Sequence, residues 1–280
     1  MHMEELAPPR VTALIVAHQD EHELRRCIEA LERSEQREGL EILVVDDGLD
    51  AATSAVADEF PDVVSLKLPR FMGWTRAVNI GLRTAKGDLV FLIPPWFQVE
   101  PATVSRLADR LQASAITGAV CPRMERVWQF PAPENLLKAW PSEDLPGAIL
   151  TVPGEMEVDY PRGAPMMIGR EYLRNMNYLD QRFGDRWADL ELCSRIRSGG
   201  KKIVVLGDVP VMMTQPPEPE TDSLQFVDSA NGVATWISLH YGFAAGLKAR
   251  LRMAFSALSR GKTTTFTGIL SGNKIDGNQE

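Results

Sequence analysis

Three stretches of this 280-residue chain carry side chains whose type and spacing suit chemistry. The first is Asp46-Asp47-Gly48, directly after the apolar run 41–45 (EILVV). Two carboxylates at the end of a buried strand are costly unless they are solvated, paired or bound to a ligand. A carboxylate there can accept hydrogen bonds from a ribose hydroxyl or a base N–H, or it can do no more than cap the helix that follows. The second stretch is 73–81 (GWTRAVNIG). Gly73 and Gly81 permit a tight turn and close helix packing, and Asn79 can brace neighbouring loops with its amide. A plain helix with a packing glycine accounts for the stretch equally well. The third is 187–197 (WADLELCSRIR), which sets Asp189 and Glu191 at a helix start, where the dipole favours negative charge. Below a cleft, Asp189 could act as a general base; without one, it is a first-turn acid serving the dipole alone. His18 and His22 stand four residues apart, a spacing that could suit a metal, but no HExxH pattern surrounds them.

Holding these residues in place takes an alternating chain. Residues 11–17 (VTALIVA) form a continuous β-rich run, as expected of a strand buried on both faces of a parallel sheet. Residues 20–33 follow as a helix, with Leu24, Cys27, Ile28 and Leu31 on one face and Asp20 and Glu23 placed as a capping box. Strands over 41–45, 63–68 and 88–93 alternate with helices over 50–60 and 75–85. Pro101 then opens a helix that carries Val104, Leu107 and Leu111. This is the pattern of an α/β fold with a doubly wound, mostly parallel sheet. Such sheets bind ligands beyond the carboxyl ends of the strands, near a switch in strand order. The loops after Val16, Val45 and Ile93 are therefore the expected site. Residues 123–163, rich in proline, read as a loop-rich excursion. A strand over 163–170, a helix over 187–197 ended by Gly199-Gly200, and a strand over 202–206 come next. The segment 214–222 (TQPPEPETD) reads as a Pro/acid linker, and 233–259 as one long helix or two broken near Gly242 and Gly246. The expected organisation is an α/β domain over 10–213, a linker over 214–228 and a basic amphipathic helical extension over 229–280.

Composition narrows the classes. A hydrophobic fraction of 44% with 24% charged residues suits a folded globular protein and argues against a mainly disordered one. Cys27, Cys121 and Cys193 are odd in number and far apart, which argues against a disulfide framework or a Cys-based zinc site and favours a reducing, cytoplasmic compartment. The start MHMEELAPPR lacks the apolar core of a signal peptide. A net charge of −8 speaks against a nucleic-acid partner. The charge is uneven, however. From Ser229 to Ile275 there is no Asp or Glu, while Lys248, Arg250, Arg252, Arg260, Lys262 and Lys274 give a formal +6, so the rest of the chain carries −14. A basic segment on an acidic body is expected to face something anionic. Three readings stand open for 233–262: contact with the inner face of the cytoplasmic membrane, packing on the α/β domain, or a homodimer interface.

Taken in order, the stretches VTALIVAHQD, EILVVDDG, GWTRAVNIGLRTAKGDLVFLIPP, GAVCPRM, GAPMMIGREYL and YLDQRFGDRWADLELCSRIRSGGKKIVVL resemble the family 2 glycosyltransferases over roughly residues 10–210. The closest flavour is the bacterial branch that builds surface polysaccharides, including rhamnosyltransferase-like members. The resemblance implies a GT-A fold: a Rossmann-like, mostly parallel sheet flanked by helices, here with a helical C-terminal extension. It also implies a nucleotide-sugar donor and a glycan or lipid-linked acceptor. Ala17, His18, Gln19 and Asp47 would hold base and ribose, with His18 where the family often has an aromatic. Asp46, Gly73, Arg76 and Asn79 would complete the donor side. Asp189 would match the base that deprotonates the acceptor hydroxyl, giving inversion at the anomeric carbon.

Four positions depart from the family pattern. The family carries a DxD or Asn-Pro-Asp motif after the fourth strand, whose carboxylates hold Mg²⁺ or Mn²⁺ on the diphosphate. Here the run is Ile93-Pro94-Pro95-Trp96, and Pro95 stands where the acid is expected. Ala188 replaces the acid that usually precedes the base, Met212 and Met213 fall near the usual late histidine, and Val16-Ala17 replaces Pro-Thr. Two expectations follow: a transferase that works without metal, in which Arg70, Arg76 or Arg123 neutralises the leaving diphosphate, or a catalytically inactive module that binds a nucleotide, glycan or protein. An unrelated Rossmann nucleotide-binding protein fits less well, because neither GxGxxG nor GxxxxGK[ST] follows the first strand.

Overall fold

A computed structural model describes residues 10–18, 21–48, 51–127, 134, 148–149, 154–214 and 223–275. Most of the expected excursion over 123–163, nearly all of the 214–222 linker, and Gln19 and Asp20 lie outside these residues. The chain opens as strand β1 (Val11–Ala17), helix α1 (Glu21–Glu32), β2 (Leu40–Asp46), α2 (Ala51–Asp58), β3 (Val63–Lys67), α3 (Trp74–Thr84) and β4 (Leu89–Leu92). It continues as β5 (Phe97–Val99), α4 (Thr103–Gln112), β6 (Thr117–Arg123), the small pair β7 (Arg126–Val127) and β8 (Ala148–Ile149), β9 (Glu155–Val158) and β10 (Met166–Gly169). Helices α5 (Arg170–Asn175) and α6 (Gly184–Ser198), strand β11 (Lys202–Met213), and helices α7 (Ser223–Tyr241), α8 (Phe243–Ser259) and α9 (Thr263–Ser271) complete it.

The main sheet runs β3-β2-β1-β4-β10-β6-β11-β5, with β9 paired to β11. Strands β1 to β4 are mutually parallel, as are β6 and β11, while β10 lies antiparallel between β4 and β6. This is the mixed, mostly parallel α/β sheet of the GT-A fold. Strand order reverses between β1 and β4, so a crevice opens past their carboxyl ends. The apolar runs are two-faced because successive side chains point to opposite sides. Leu14 and Val16 join one core cluster with α3, α6 and α7, while Ala13, Ile15 and Ala17 join the other with α1 and α4. Gly81 lets α3 lie close on this sheet: a Cβ there would come within 2.5 Å of Leu14 Cδ1. Overpacking of that kind costs about 1–3 kcal/mol.

Strands β5, β6 and β9 and helix α5 were not foreseen from the sequence. Strand β11 also runs seven residues past its expected end at Leu206. Its register against β6 shifts between Leu206 and Pro210, which frees Val211–Met213 to pair antiparallel with β5. The helical break falls at Gly242, whose φ of 93° closes α7 and opens α8. Apolar residues of α7, α8 and α9, among them Val227, Val233, Trp236, Met253 and Ile269, belong to the same cluster as the sheet.

Candidate active site

The carboxyl end of β2 brings its two acids into different surroundings. Asp46 is buried and turned toward α2: it accepts the Gly48 N–H (3.1 Å) and the Ser54 hydroxyl. It ties the turn after β2 to the Ser54 side chain of α2. Asp47 is also buried and accepts the Met72 N–H at 2.6 Å, while its own N–H donates to Ala17 O. Burial is the largest influence on Asp47 and raises its carboxyl to about 6, although the Met72 N–H and the nearby His18 pull the other way. His18 stands exposed at the mouth, its Nδ1 donating to Asp47 O (3.2 Å) and its ring tilted on Phe71 with centroids 4.7 Å apart. Asp47, His18 and Ala17 are thus gathered where β1 and β2 end, with Phe71 against the His18 ring.

The start of α3 carries an unexpected feature. Gly73 adopts φ 84° to turn the chain into the helix. The first amides of a helix point outward and form a ready anion site. Here a carboxylate of this same chain fills that site: Asp185 accepts the N–H groups of Trp74 and Thr75, both at 2.9 Å. Its own N–H donates to Asp228 of α7 (2.9 Å), whose other oxygen takes the Ile275 N–H (3.2 Å). Gly184 cannot carry a side chain beside this pair, because a Cβ would fall 2.2 Å from the Asp228 carboxylate. Burial first and Asp228 second lift Asp185 to about 7. Neither acid could be singled out from sequence, since the partners of Asp185 lie about 110 positions away and those of Asp228 more than 40.

Asp189 faces a different space. With Val16 from β1, Trp74 from α3, Ile93 and Pro94 after β4, and Gly163, it lines a cavity of about 60 Å³. The Tyr160 hydroxyl donates across both its oxygens (2.8 and 2.9 Å), and the Leu190 N–H holds Oδ1 (2.8 Å). Burial raises the Asp189 carboxyl, opposed by the Tyr160 hydrogen bond and the Arg162 charge. The Arg162 guanidinium lies 5.6 Å above the Trp187 ring. Tyr160, Arg162 and Phe71 are contributors that sequence reasoning missed, for they sit in stretches without periodic signal. Glu191 is turned inward and ion-paired with Arg195 (2.8 Å).

Asn79 is not at the mouth. It is buried, with Nδ2 on Leu179 O (2.8 Å) and Oδ1 taking the Leu179 N–H (3.0 Å), so its amide is fully committed to bracing α3 against 176–180. Its assignment to the donor side is corrected on that ground. Arg76 is half-buried on α3, and Pro95 is buried while Pro94 faces the cavity. Trp96 packs on the opposite core cluster and leaves the cavity clear. The loop after β4 offers no carboxylate, and among the described residues no three His, Cys, Asp or Glu side chains converge. The divalent cation of the family therefore does not fit the donor set that the described residues offer.

A search of curated proteins found no match to the chain. The family model described as Glycosyl transferase family 2 matches residues 12–152. That span is just over half the chain, holding the loops after β1, β2 and β4 and ending before Tyr160, Asp185 and Asp189. With the sheet order, the crevice and this match in agreement, the chain belongs to glycosyltransferase family 2.

Proposed function

We propose that this protein is an inverting glycosyltransferase that moves a sugar from a UDP- or dTDP-sugar to a hydroxyl of a glycan or lipid-linked acceptor in cell-envelope polysaccharide synthesis, and does so without a metal. Family membership supports the nucleotide-sugar donor and the acceptor. The observation that carries the reaction is the Asp189 carboxylate, held by Tyr160 at the cavity where β1, β4 and α6 meet. Asp189 takes the proton of the acceptor hydroxyl as that oxygen bonds to the anomeric carbon. The bond from that carbon to the diphosphate oxygen breaks on the opposite face, which inverts the centre. A raised carboxyl makes Asp189 a better proton acceptor, and its hydrogen bonds fix the direction of approach. Asp47, His18 and Phe71 hold the nucleoside. Charge on the departing diphosphate falls to guanidinium groups, for which Arg70, Arg76 and Arg123 are the candidates.

Calorimetry with UDP, dTDP and GDP, with and without Mn²⁺, combined with donor turnover, tests this reading. Binding that Mn²⁺ changes by less than about twofold, with slow donor hydrolysis or transfer, supports it. Nucleotide binding without any turnover makes the chain a binding module, and no binding of any nucleotide overturns the assignment.

A further inference from the structure

The outer face of α8 is apolar where a surface helix is ordinarily polar. Phe243, Leu247, Leu251, Phe255 and Leu258 follow one another at three- and four-residue steps, and all are exposed, Phe243 at 77% and Phe255 at 59%. Leu239 and Tyr241, at the end of α7, extend the patch. The inner face is already used: Gly246, Ala249, Met253, Ala254 and Ala257 pack inward, and a Cβ on Gly246 would come within 2.5 Å of Ser238. The outer stripe therefore cannot turn into the core. Contiguous exposed apolar surface of this kind marks an interaction site.

We propose that this face docks on an anionic lipid bilayer, with α8 lying in the headgroup plane. Charge selects the occupant. Lys248 and Arg252 border the stripe, and Arg260 and Lys262 stand exposed just past its end. No Asp or Glu occurs between Ser229 and Ile275 in a chain whose net charge is −8. The formally charged residues of 229–275 are thus all cations, four of them bordering or just past the apolar stripe, while the rest of the chain carries the net negative charge that a negative surface repels, which orients the protein with α8 down. A second copy fits poorly, since a two-fold contact through this face brings the same cations together. Among the described residues no helix is long and apolar enough to cross a membrane, so the stripe lies along the surface. Beside it, Arg182, Arg250, Thr235 and Ser238 line an open hollow of about 290 Å³ that faces headgroup phosphates in this orientation. The inference is independent of the transfer reaction.

Co-sedimentation of the full chain with vesicles of equal phosphatidylglycerol and phosphatidylcholine, against pure phosphatidylcholine, tests it. The mixed vesicles are expected to bind at least about tenfold more strongly, and binding is expected to weaken as salt rises from about 0.1 M to about 1 M. Two double variants, Leu251→Ser with Phe255→Ser and Lys248→Glu with Arg252→Glu, change only exposed residues. Each is expected to lower partition about tenfold or more while keeping the wild-type circular dichroism spectrum and melting temperature. Absence of binding to mixed vesicles, or equal partition of the wild type and both variants, overturns the proposal. A dimer in sedimentation velocity that the Leu251/Phe255 variant dissolves also overturns it and assigns the face to a second copy.

Discussion

Asp185 and Asp189 stand one turn apart on α6, both partly buried and both with raised carboxyls, yet their surroundings differ in kind. Around Asp185 every neighbour is architecture: two amides of α3, the Asp228 cap and the glycine that makes room for it. Around Asp189 the Tyr160 hydroxyl and the Leu190 and Gly163 N–H groups hold the carboxylate, which also lines a cavity. The contrast shows that acidity, helix position and a shifted carboxyl do not mark a reacting group. What separates the proposed base is the cavity its carboxylate borders, and what separates the cap is that it spans two helices through their backbone amides.

The largest test of the contrast is Asp189→Asn. It is expected to lower kcat by about 10³-fold, with the thermal midpoint within a few degrees of wild type; a variant that loses stability instead would place Asp189 with Asp185. Asp185→Ala should show the reverse pattern. Two α3 amides lose their acceptor, and urea unfolding is expected to show a loss of about 2 kcal/mol. Asp185 also predicts a pH signature. Its folded carboxyl titrates at about 7 against an ordinary 3.8, so the folded state keeps a proton that the unfolded chain has released. That contribution to stability is complete below 3.8 and is lost as pH rises through about 7. Between about pH 5 and pH 8, wild type is expected to lose roughly 1–3 kcal/mol more than Asp185→Asn. Equal slopes in urea midpoints would remove Asp185 as the source.

Smaller effects sharpen the picture on the cavity side. Tyr160→Phe deletes a hydrogen bond that favours the charged carboxylate, so Asp189 rises further and the acidic limb of the rate profile moves to higher pH. A fall in kcat of about tenfold near neutral pH is expected, with nucleotide affinity unchanged; an unmoved limb would show that Tyr160 serves packing alone. His18→Ala, at the other end of the crevice, is expected to weaken nucleotide binding by about three- to fivefold in calorimetry, as befits one exposed aromatic contact, and to leave the pH limb in place.

Much of the scaffold was legible in the residues. Strands β1, β2 and β4 are runs of Val, Ile and Leu because both faces are covered, and that composition needs no partner to be recognised. The short strands were hidden. Phe97–Val99 becomes a strand only because β11 shifts register past Leu206 and reaches it from more than 100 residues away. Within the site, Asp47 stood out as a carboxylate at a strand end, and Asp189 reads from sequence as one at a helix start, whereas α6 begins at Gly184 and puts Asp185 in the first turn instead. Tyr160 and Asp185 did not stand out, because their tasks are defined by partners distant in sequence. Asn79 does the bracing that its amide suggested, but a helical asparagine shows nothing of which backbone it meets, so its place on the donor side could not be tested from sequence.

The acid that fills the α3 amides has a mechanical consequence. Through Asp185, α3 is riveted to α6, and through Asp228, α6 is riveted in turn to α7 and to Ile275. The helices cannot part like a clamshell without breaking buried polar contacts. In the proposed reaction, entry and exit of substrates would therefore fall to the loops at the strand tips, with Asp189 kept at a fixed distance from the first turn of α3.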